Sequence, residues 1–447
     1  MPAPPVAVIS PDDIFSETLS ARLERAGCDT QGPAAIEGCA SAILAGALFE
    51  TDPLATSWDL LETARNLRAG GTRELVFLQD TGGCFRFGGD GGWCGGVAGL
   101  ARTARREWPD MVIRLIDIPA HAMTPDEIGK AVLAGLACGV EEVGICGESD
   151  PLIPGHVRAS MPGKARLAQE PGTWIVSGGA RGVTSDCVMA LARRTGGRFA
   201  LLGRSGLAPW PEGLPQTDDL GELRKKLAQA ALAHGEKPRP AEIDAAARHA
   251  LAGREIRDTL SAIEAAGGEA AYLPCDIADP EAVARAVREA EARFGSVTGL
   301  IHGAGVIADR RMSDKTFGDF AKVYRTKIDG LRALLSAVDT SKLTHIALFS
   351  SAAAAFGNPG QGDYALANEA LNRVAHKLRA DLPGARVKSF NWGPWDGGMV
   401  SEAHARHFEA LGVALIPRPA GADLFAGHLL FGDPDEVELL VGEPWPA

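Results

Sequence analysis

The stretch Ser177-Gly178-Gly179-Ala180-Arg181-Gly182-Val183-Thr184 offers the clearest chemistry in this chain. It follows the apolar run Thr173-Trp174-Ile175-Val176, which reads as a strand, and leads into a helical pattern through Val188, Leu191 and Ala192. A glycine-rich turn between strand and helix lets the backbone approach a pyrophosphate, which then rests on the free N–H groups and positive dipole end of the helix. Gly178, Gly179, Ala180, Arg181, Gly182 and Val183 are therefore expected to hold a dinucleotide, with a plain tight turn as the alternative. The next strand ends in Leu202-Gly203-Arg204-Ser205. An acidic residue there would take the 2′-hydroxyl of NAD, whereas Arg204 suits a 2′-phosphate and Arg181 adds a second positive charge. NADPH is thus expected over NADH, an ordinary solvated arginine being the competing reading. Asp276, in Cys275-Asp276-Ile277 at the following strand end, is placed either to accept from an adenine amino group or to cap a helix.

These loops need a scaffold, and the pattern supplies one. Strands are expected at Thr173 to Val176, Phe199 to Leu202, Ala270 to Leu273, Gly299 to His302, Thr344 to Phe349 and Arg386 to Asn391, with helical patterns between them. The first half shows the same alternation: strands at Val6 to Ile9, Glu74 to Leu78 and Met111 to Asp117, helices at Val97 to Arg106 and Pro125 to Cys138. Strand and helix in alternation imply parallel sheets. The expected fold is α/β, two tandem Rossmann-like doubly wound subdomains, residues 1–168 and 169–447, joined through a polar Pro/Gly-flanked stretch. About 65 residues separate Arg204 from the strand at Ala270, more than one crossover helix needs. We read a helical insertion over about 207–255, either a solvated decoration or a partner-docking element, with helices at Leu220 to Leu232 and Ala241 to Ala265.

A chain of 447 residues can bury two or three domain cores. Its net charge of −12 argues against a broad polyanion-binding face, so no nucleic-acid partner is expected. The eight cysteines form no C-x-x-C pair, and neither a metal site nor a disulfide framework is signalled. No apolar run reaches membrane-spanning length and Met1-Pro2-Ala3-Pro4-Pro5 lacks signal-peptide character, so a cytoplasmic protein without a membrane partner is expected. The 54 glycines exceed the usual share. Their densest cluster, Gly82 to Gly99, is not framed as a nucleotide loop and is expected to bind nothing, with Phe85 and Trp93 packing within it.

The glycine loop, Gly203-Arg204, Asp276-Ile277 and His302-Gly303-Ala304-Gly305 together resemble the short-chain dehydrogenase/reductase superfamily. Phe349-Ser350-Ser351, Gly360-Gln361-Gly362-Asp363-Tyr364-Ala365-Leu366-Ala367-Asn368 and Asn391-Trp392-Gly393-Pro394-Trp395 narrow the resemblance to the ketoreductase domain of type I polyketide and fatty acid synthases. It covers roughly residues 60 to 430. Reducing a ketone needs an acid within hydrogen-bond reach of the oxygen, and Tyr364 is the candidate. Most relatives in the superfamily carry Lys four residues after this Tyr; here the position holds Asn368. The synthase ketoreductases resemble this chain in that exchange and take the lysine from the preceding helix, which implies Lys327. Ser351 would donate to the same carbonyl oxygen.

The resemblance implies reduction, by NADPH, of a β-ketoacyl thioester on an acyl carrier protein, among other synthase domains as partners. Asp309, last of Ile307-Ala308-Asp309 where D-setting relatives carry Leu-Asp-Asp, and Phe356, where L-setting ones often carry Trp, favour a D-3-hydroxy product. Trp395, Met399 and the stretch over about 396–415 resemble the substrate lid. Thr184 departs from the usual glycine. The loop, the insertion and the Asn391 to Val400 motif look most like ketoreductases of polyunsaturated fatty acid synthases, and Gly96 to Thr103 with Arg114 to Asp117 resembles their non-catalytic structural subdomain. A reductase of a free small-molecule ketone and a non-catalytic scaffold are the alternatives.

Overall fold

The computed structural model describes residues 2–31, 38–49, 52–86, 93, 95–147, 150–159, 172–234, 237, 239–397, 406, 408–410 and 412–445. The break expected near residue 168 lies outside them, as do Met399 and half of the expected lid.

The first unit runs β1 (Val6–Ile9), α1 (Asp13–Arg25), β2 (Thr30–Gln31), β3 (Ser41–Leu44), α2 (Pro53–Ala69), β4 (Glu74–Gln79), α3 (Val97–Glu107), β5 (Val112–Asp117), α4 (Pro125–Cys138) and β6 (Glu142–Gly144). Its six strands pair in parallel in the order β2-β1-β3-β4-β5-β6. All six residues of β4 are buried, as a strand covered by helices on both faces requires. Helix starts follow side-chain caps: Asp12 accepts from Phe15 N before α1, and Thr124 with Glu127 forms a capping box before α4. Sequence reasoning missed β3 and α2. Four residues are too few to tell a strand from buried helix, and α2 is carried by its packing of Leu60, Leu61, Ala64 and Leu67.

The second unit runs β7 (Thr173–Ser177), α5 (Gly182–Thr195), β8 (Arg198–Gly203), α6 (Leu220–Ala233), α7 (Pro240–Ala265), β9 (Glu269–Pro274), α8 (Pro280–Phe294), β10 (Val297–His302), α9 (Phe317–Tyr324), α10 (Gly330–Ala337), β11 (His345–Ser351), α11 (Ala352–Phe356), α12 (Gly362–Asp381), β12 (Arg386–Trp392), α13 (Arg418–Phe431) and β13 (Glu438–Val441). The parallel order is β13-β12-β11-β10-β7-β8-β9. Strand order reverses direction between β7 and β10, and a crevice opens there beyond the carboxyl ends of the strands. The short β13, unforeseen, extends the sheet at β12. Residue 255 falls inside α7, so the last part of the extra chain and the crossover helix share one continuous helix of 26 residues. Among the described residues no helix is long and apolar enough to cross a membrane.

The two units meet through α3 and α12. A Cβ at Gly96 would lie 2.2 Å from the Leu366 carbonyl oxygen, and one at Gly99 2.3 Å from that of Ala365. The glycine cluster of the first half thus has a use that the sequence did not disclose: it lets two helix backbones touch. Polar contacts extend the seam. Arg102 donates to the Ala354 carbonyl at 2.8 Å and pairs with Glu142 at 2.7 Å, and Arg106 donates to the Phe356 carbonyl at 2.7 Å. Glu107 accepts from Met312 N at 2.8 Å and from Gly360 N at 2.7 Å, tying together two loops of the second unit. Burial alone would raise the Glu142 carboxyl, but Arg102 and Arg105 hold it down at about 2.

Candidate active site

Ser351 ends β11 and caps α11, its Oγ accepting from Ala353 N at 3.2 Å. Tyr364 lies in the first turn of α12, and Asn368 follows one turn later on the same face. Lys327 sits in a π-helical turn, Arg325–Asp329, that joins α9 to α10. Such turns are rare, and this one turns the lysine inward. The Lys327 side chain is buried, its Nζ donating to the Phe349 carbonyl at 2.6 Å and lying 5.8 Å from the centre of the Tyr364 ring.

The electrostatics follow from that burial. Loss of solvent pulls the Lys327 ammonium down to about 7. Burial also pushes the Tyr364 phenol up, against hydrogen bonds from the side chains of Asn368 and Ser351 that favour the phenolate. Asn368 is fully buried; its Nδ2 donates to the Tyr364 carbonyl at 2.8 Å, and its Oδ1 has no hydrogen-bond partner among the described residues.

Ser351, Tyr364 and Lys327 line one cleft of about 320 Å³, together with Gly303, Gly305 and Asp309. That volume is at the lower end for a small-molecule site. Gly305 admits the lysine, since a Cβ there would lie 2.9 Å from Lys327 Cε. Asp309 accepts from Gln361 Nε2 at 3.0 Å. The mouth is aromatic: Trp392, Trp395, Phe408 and Trp445 line it, and Trp392 and Trp395 meet edge to face at 4.8 Å. Phe356 is not among the lining residues; it packs between His156 and Trp445.

The glycine loop after β7 fits a pyrophosphate on two observations. Gly178 has φ +69°, and a Cβ on it would press at 2.9 Å on Ala304 N, so the loops after β7 and β10 close on each other only with glycine there. Arg181, the N-cap of α5, makes no capping hydrogen bond, so its side chain leaves the first N–H groups of the helix to a ligand. Thr184 is accommodated by a reciprocal gap: a Cβ on Gly303 would lie 2.6 Å from the threonine side chain. Arg204 is exposed beside Arg181 in a second pocket, next to Ser205, whose carbonyl accepts from the Tyr272 hydroxyl at 2.5 Å. Gly203 precedes them at the end of β8.

Three expected cofactor residues have partners within the protein. His302 is fully buried behind its loop, with Nδ1 2.8 Å from Ser177 Oγ and Nε2 2.9 Å from the Lys327 carbonyl. The carbonyl can only accept, so Nε2 carries the proton and Nδ1 accepts from the serine hydroxyl. Burial, with Lys327 adding, pushes His302 down to about 3 and keeps it neutral. The histidine links the ends of β7 and β10 to the lysine turn. Asp276 accepts from Ala278 N at 3.0 Å in the turn before α8, but the cap of that helix is Asp279, and Ile277 packs against the position of Gly330.

Two residues that no sequence motif singles out brace the cleft. Lys315, with no side-chain exposure, donates to the Ala308 carbonyl at 2.7 Å, to the Gly360 carbonyl at 3.2 Å and to Asp363 Oδ1 at 2.8 Å. Glu107 reaches the same two loops from the first unit. Each ties together segments far apart in sequence, which is why no local pattern marks it.

Residues 172–397 match the family model described as the KR domain. The chain is 39% identical over 361 residues to a polyunsaturated fatty acid synthase subunit of Thraustochytrium sp., an alignment covering 78% of this chain and 13% of that protein. It is 25% identical over 380 residues to polyketide synthase PksM of Bacillus subtilis, covering 82% of this chain and 8% of the other. The chain therefore spans a small fraction of the curated relatives it matches. Among solved structures, a C2-type ketoreductase from a modular polyketide synthase aligns with a TM-score of 0.74 at 20% identity, over 98% of this chain and 90% of that one. The first ketoreductase of the tylosin synthase aligns with a TM-score of 0.69 at 22% identity, over 98% and 90%.

Proposed function

The chain belongs to the KR, or ketoreductase, domain family, and from that premise we propose that it is an NADPH-dependent reductase of β-ketoacyl thioesters carried on an acyl carrier protein. The observation that carries the reading is the meeting of Ser351, Tyr364 and Lys327 in one cleft beside the glycine loop, with Asn368 behind the tyrosine.

Gly178 to Val183 would hold the pyrophosphate, and Arg181 with Arg204 the 2′-phosphate, of NADPH, which when bound supplies a hydride to the β-carbon. Ser351 donates a hydrogen bond to the ketone oxygen and fixes it against Tyr364. As negative charge grows on that oxygen, Tyr364 transfers its phenolic proton to it. The phenolate left behind is held by the Lys327 ammonium below the ring and by the Asn368 amide, the two groups that lower its energy. His302, neutral and locked, keeps the lysine turn in register with the sheet. The aromatic mouth covers the acyl chain and limits water at the reacting carbon.

The length of the relatives supports work on a tethered chain among other synthase domains. Asp309 in the cleft, and Phe356 outside it, support a D-3-hydroxy product. The test is the turnover of a β-ketoacyl chain on carrier protein with NADPH, with chiral analysis of the product. Tyr364→Phe should abolish turnover and leave NADPH affinity nearly intact. A variant that retains most activity overturns the assignment, and equal turnover of free thioesters overturns the tethered substrate.

A further inference from the structure

The insertion packs where the cofactor would lie. Arg248, Ala252, Glu255 and Thr259 follow one another at helical spacing along one face of α7. That face meets both cofactor loops. Thr259 Oγ donates to the Ala180 carbonyl at 3.0 Å, and Glu255 pairs with Arg181, both in the glycine loop after β7. At the other end Arg248 and Ala252, with the adjacent His249, line one pocket with Arg181, Arg204, Ser205 and Gly206.

The same helix fixes the arginine loop after β8. His249 Nε2 lies 3.1 Å from the Gly206 carbonyl, so the ring donates there. Arg257 donates to the Ala208 carbonyl at 2.5 Å, and Gly253 lets that residue in, since a Cβ there would lie 2.5 Å from the Ala208 oxygen. Farther along, Arg254 pairs with Asp218 at 2.8 Å and stacks over Trp210.

The charges in the pocket are unbalanced. Arg181 is matched by Glu255, and Arg248 by Asp244 at 2.8 Å. The Arg204 guanidinium, alone of the three, has no carboxylate partner among the described residues. The site thus carries an excess positive charge at the position where a ribose 2′-substituent falls in a doubly wound fold.

We propose that the helical insertion is a cofactor-specificity element, in which Arg248, with His249, joins Arg204 and Arg181 to complete a pocket for the 2′-phosphate. The proposal rests on the NADPH reading above and gives the extra chain a purpose, because α7 runs on past the length of an ordinary crossover so that its first turns arch over the ribose. The planar guanidinium of Arg248 presents paired donors to phosphate oxygens, and Asp244, one turn back, orients it.

Fluorescence titration of the full chain with NADPH and with NADH, and displacement by adenosine 2′,5′-bisphosphate, test this. Arg248 is exposed on its helix, its side chain 62% accessible, so Arg248→Gln and Arg248→Glu leave the core alone. Loss of a charge-assisted contact is expected to weaken NADPH and the bisphosphate by about tenfold or more and to leave NADH unchanged. His249→Ala should weaken NADPH severalfold. If the parent chain prefers NADPH and Arg204→Ala weakens it while both Arg248 variants bind as before, the insertion has no such role and the cofactor reading stands. If the parent binds NADPH and NADH equally, the cofactor reading fails and this inference with it.

Discussion

Lys315 Nζ lies 2.8 Å from Asp363 Oδ1, and neither side chain reaches solvent. The pair sits directly before the tyrosine: Asp363 Oδ1 also accepts from Tyr364 N at 2.9 Å. Burial lifts the Asp363 carboxyl to about 6 even with the ammonium beside it. A charge so placed is tolerated only while its partner stands.

Lys315→Met should therefore cost about 3–5 kcal/mol, because it strands a carboxylate in the core. Denaturant unfolding of the variant measures this. The double variant Lys315→Met with Asp363→Leu removes the orphan and should recover much of the loss. A single variant as stable as the parent would mean that the pair does not hold the start of α12.

Activity should fall as pH rises through about 7. In the proposed mechanism Lys327 supports the Tyr364 phenolate only while protonated, and burial has brought its ammonium down to about 7. Below that value the cation is present; above it the neutral amine gives no such support. His302, held near 3, stays neutral throughout and adds no limb of its own. The pH profile of kcat with saturating substrate checks this, and a flat profile from pH 6 to 9 would contradict it.

Glu107→Ala should raise KM for the ketoacyl substrate several-fold, with a smaller change in kcat. Glu107 touches none of the cleft-lining atoms; its two oxygens hold Met312 N and Gly360 N, and so the loops that carry Asp309 and Gln361. Glu107→Gln keeps one accepting oxygen and should fall between parent and Ala. Steady-state kinetics distinguish this positioning role from a loss of folded protein, which would lower kcat in proportion and leave KM unchanged.

The loops built from local chemistry were legible in the chain. A glycine turn between a strand and a helix carries its own signature over eight residues, and Arg204 stands at a position fixed by the strand before it. The resemblance added Ser351, Tyr364 and Lys327, which the fold draws around one cleft, and Asn368, which it buries behind the tyrosine. Less legible were contacts that depend on distant packing. Lys315 and Glu107 look like surface charges until the loops they brace are folded. His302 is read from its neighbours as a cofactor residue, yet its ring faces Ser177 and Lys327. Arg248 and His249 lie in a charged alanine-rich stretch whose pattern says helix and nothing of the pocket they line.

The backbone contact of Gly96 and Gly99 with α12 has a practical consequence for anyone who would transplant the second unit. The helix that carries Tyr364 and Asn368 is seated in a mould whose walls belong to the other unit, and the mould is shaped by the absence of two methyl groups. A transplant of the second unit alone would carry Tyr364 and Asn368 and leave behind a surface on which their helix rests. The transferable part is the pair of units, and a sequence comparison confined to the second unit would miss a single alanine at Gly99, whose Cβ would press on the backbone one residue after Tyr364.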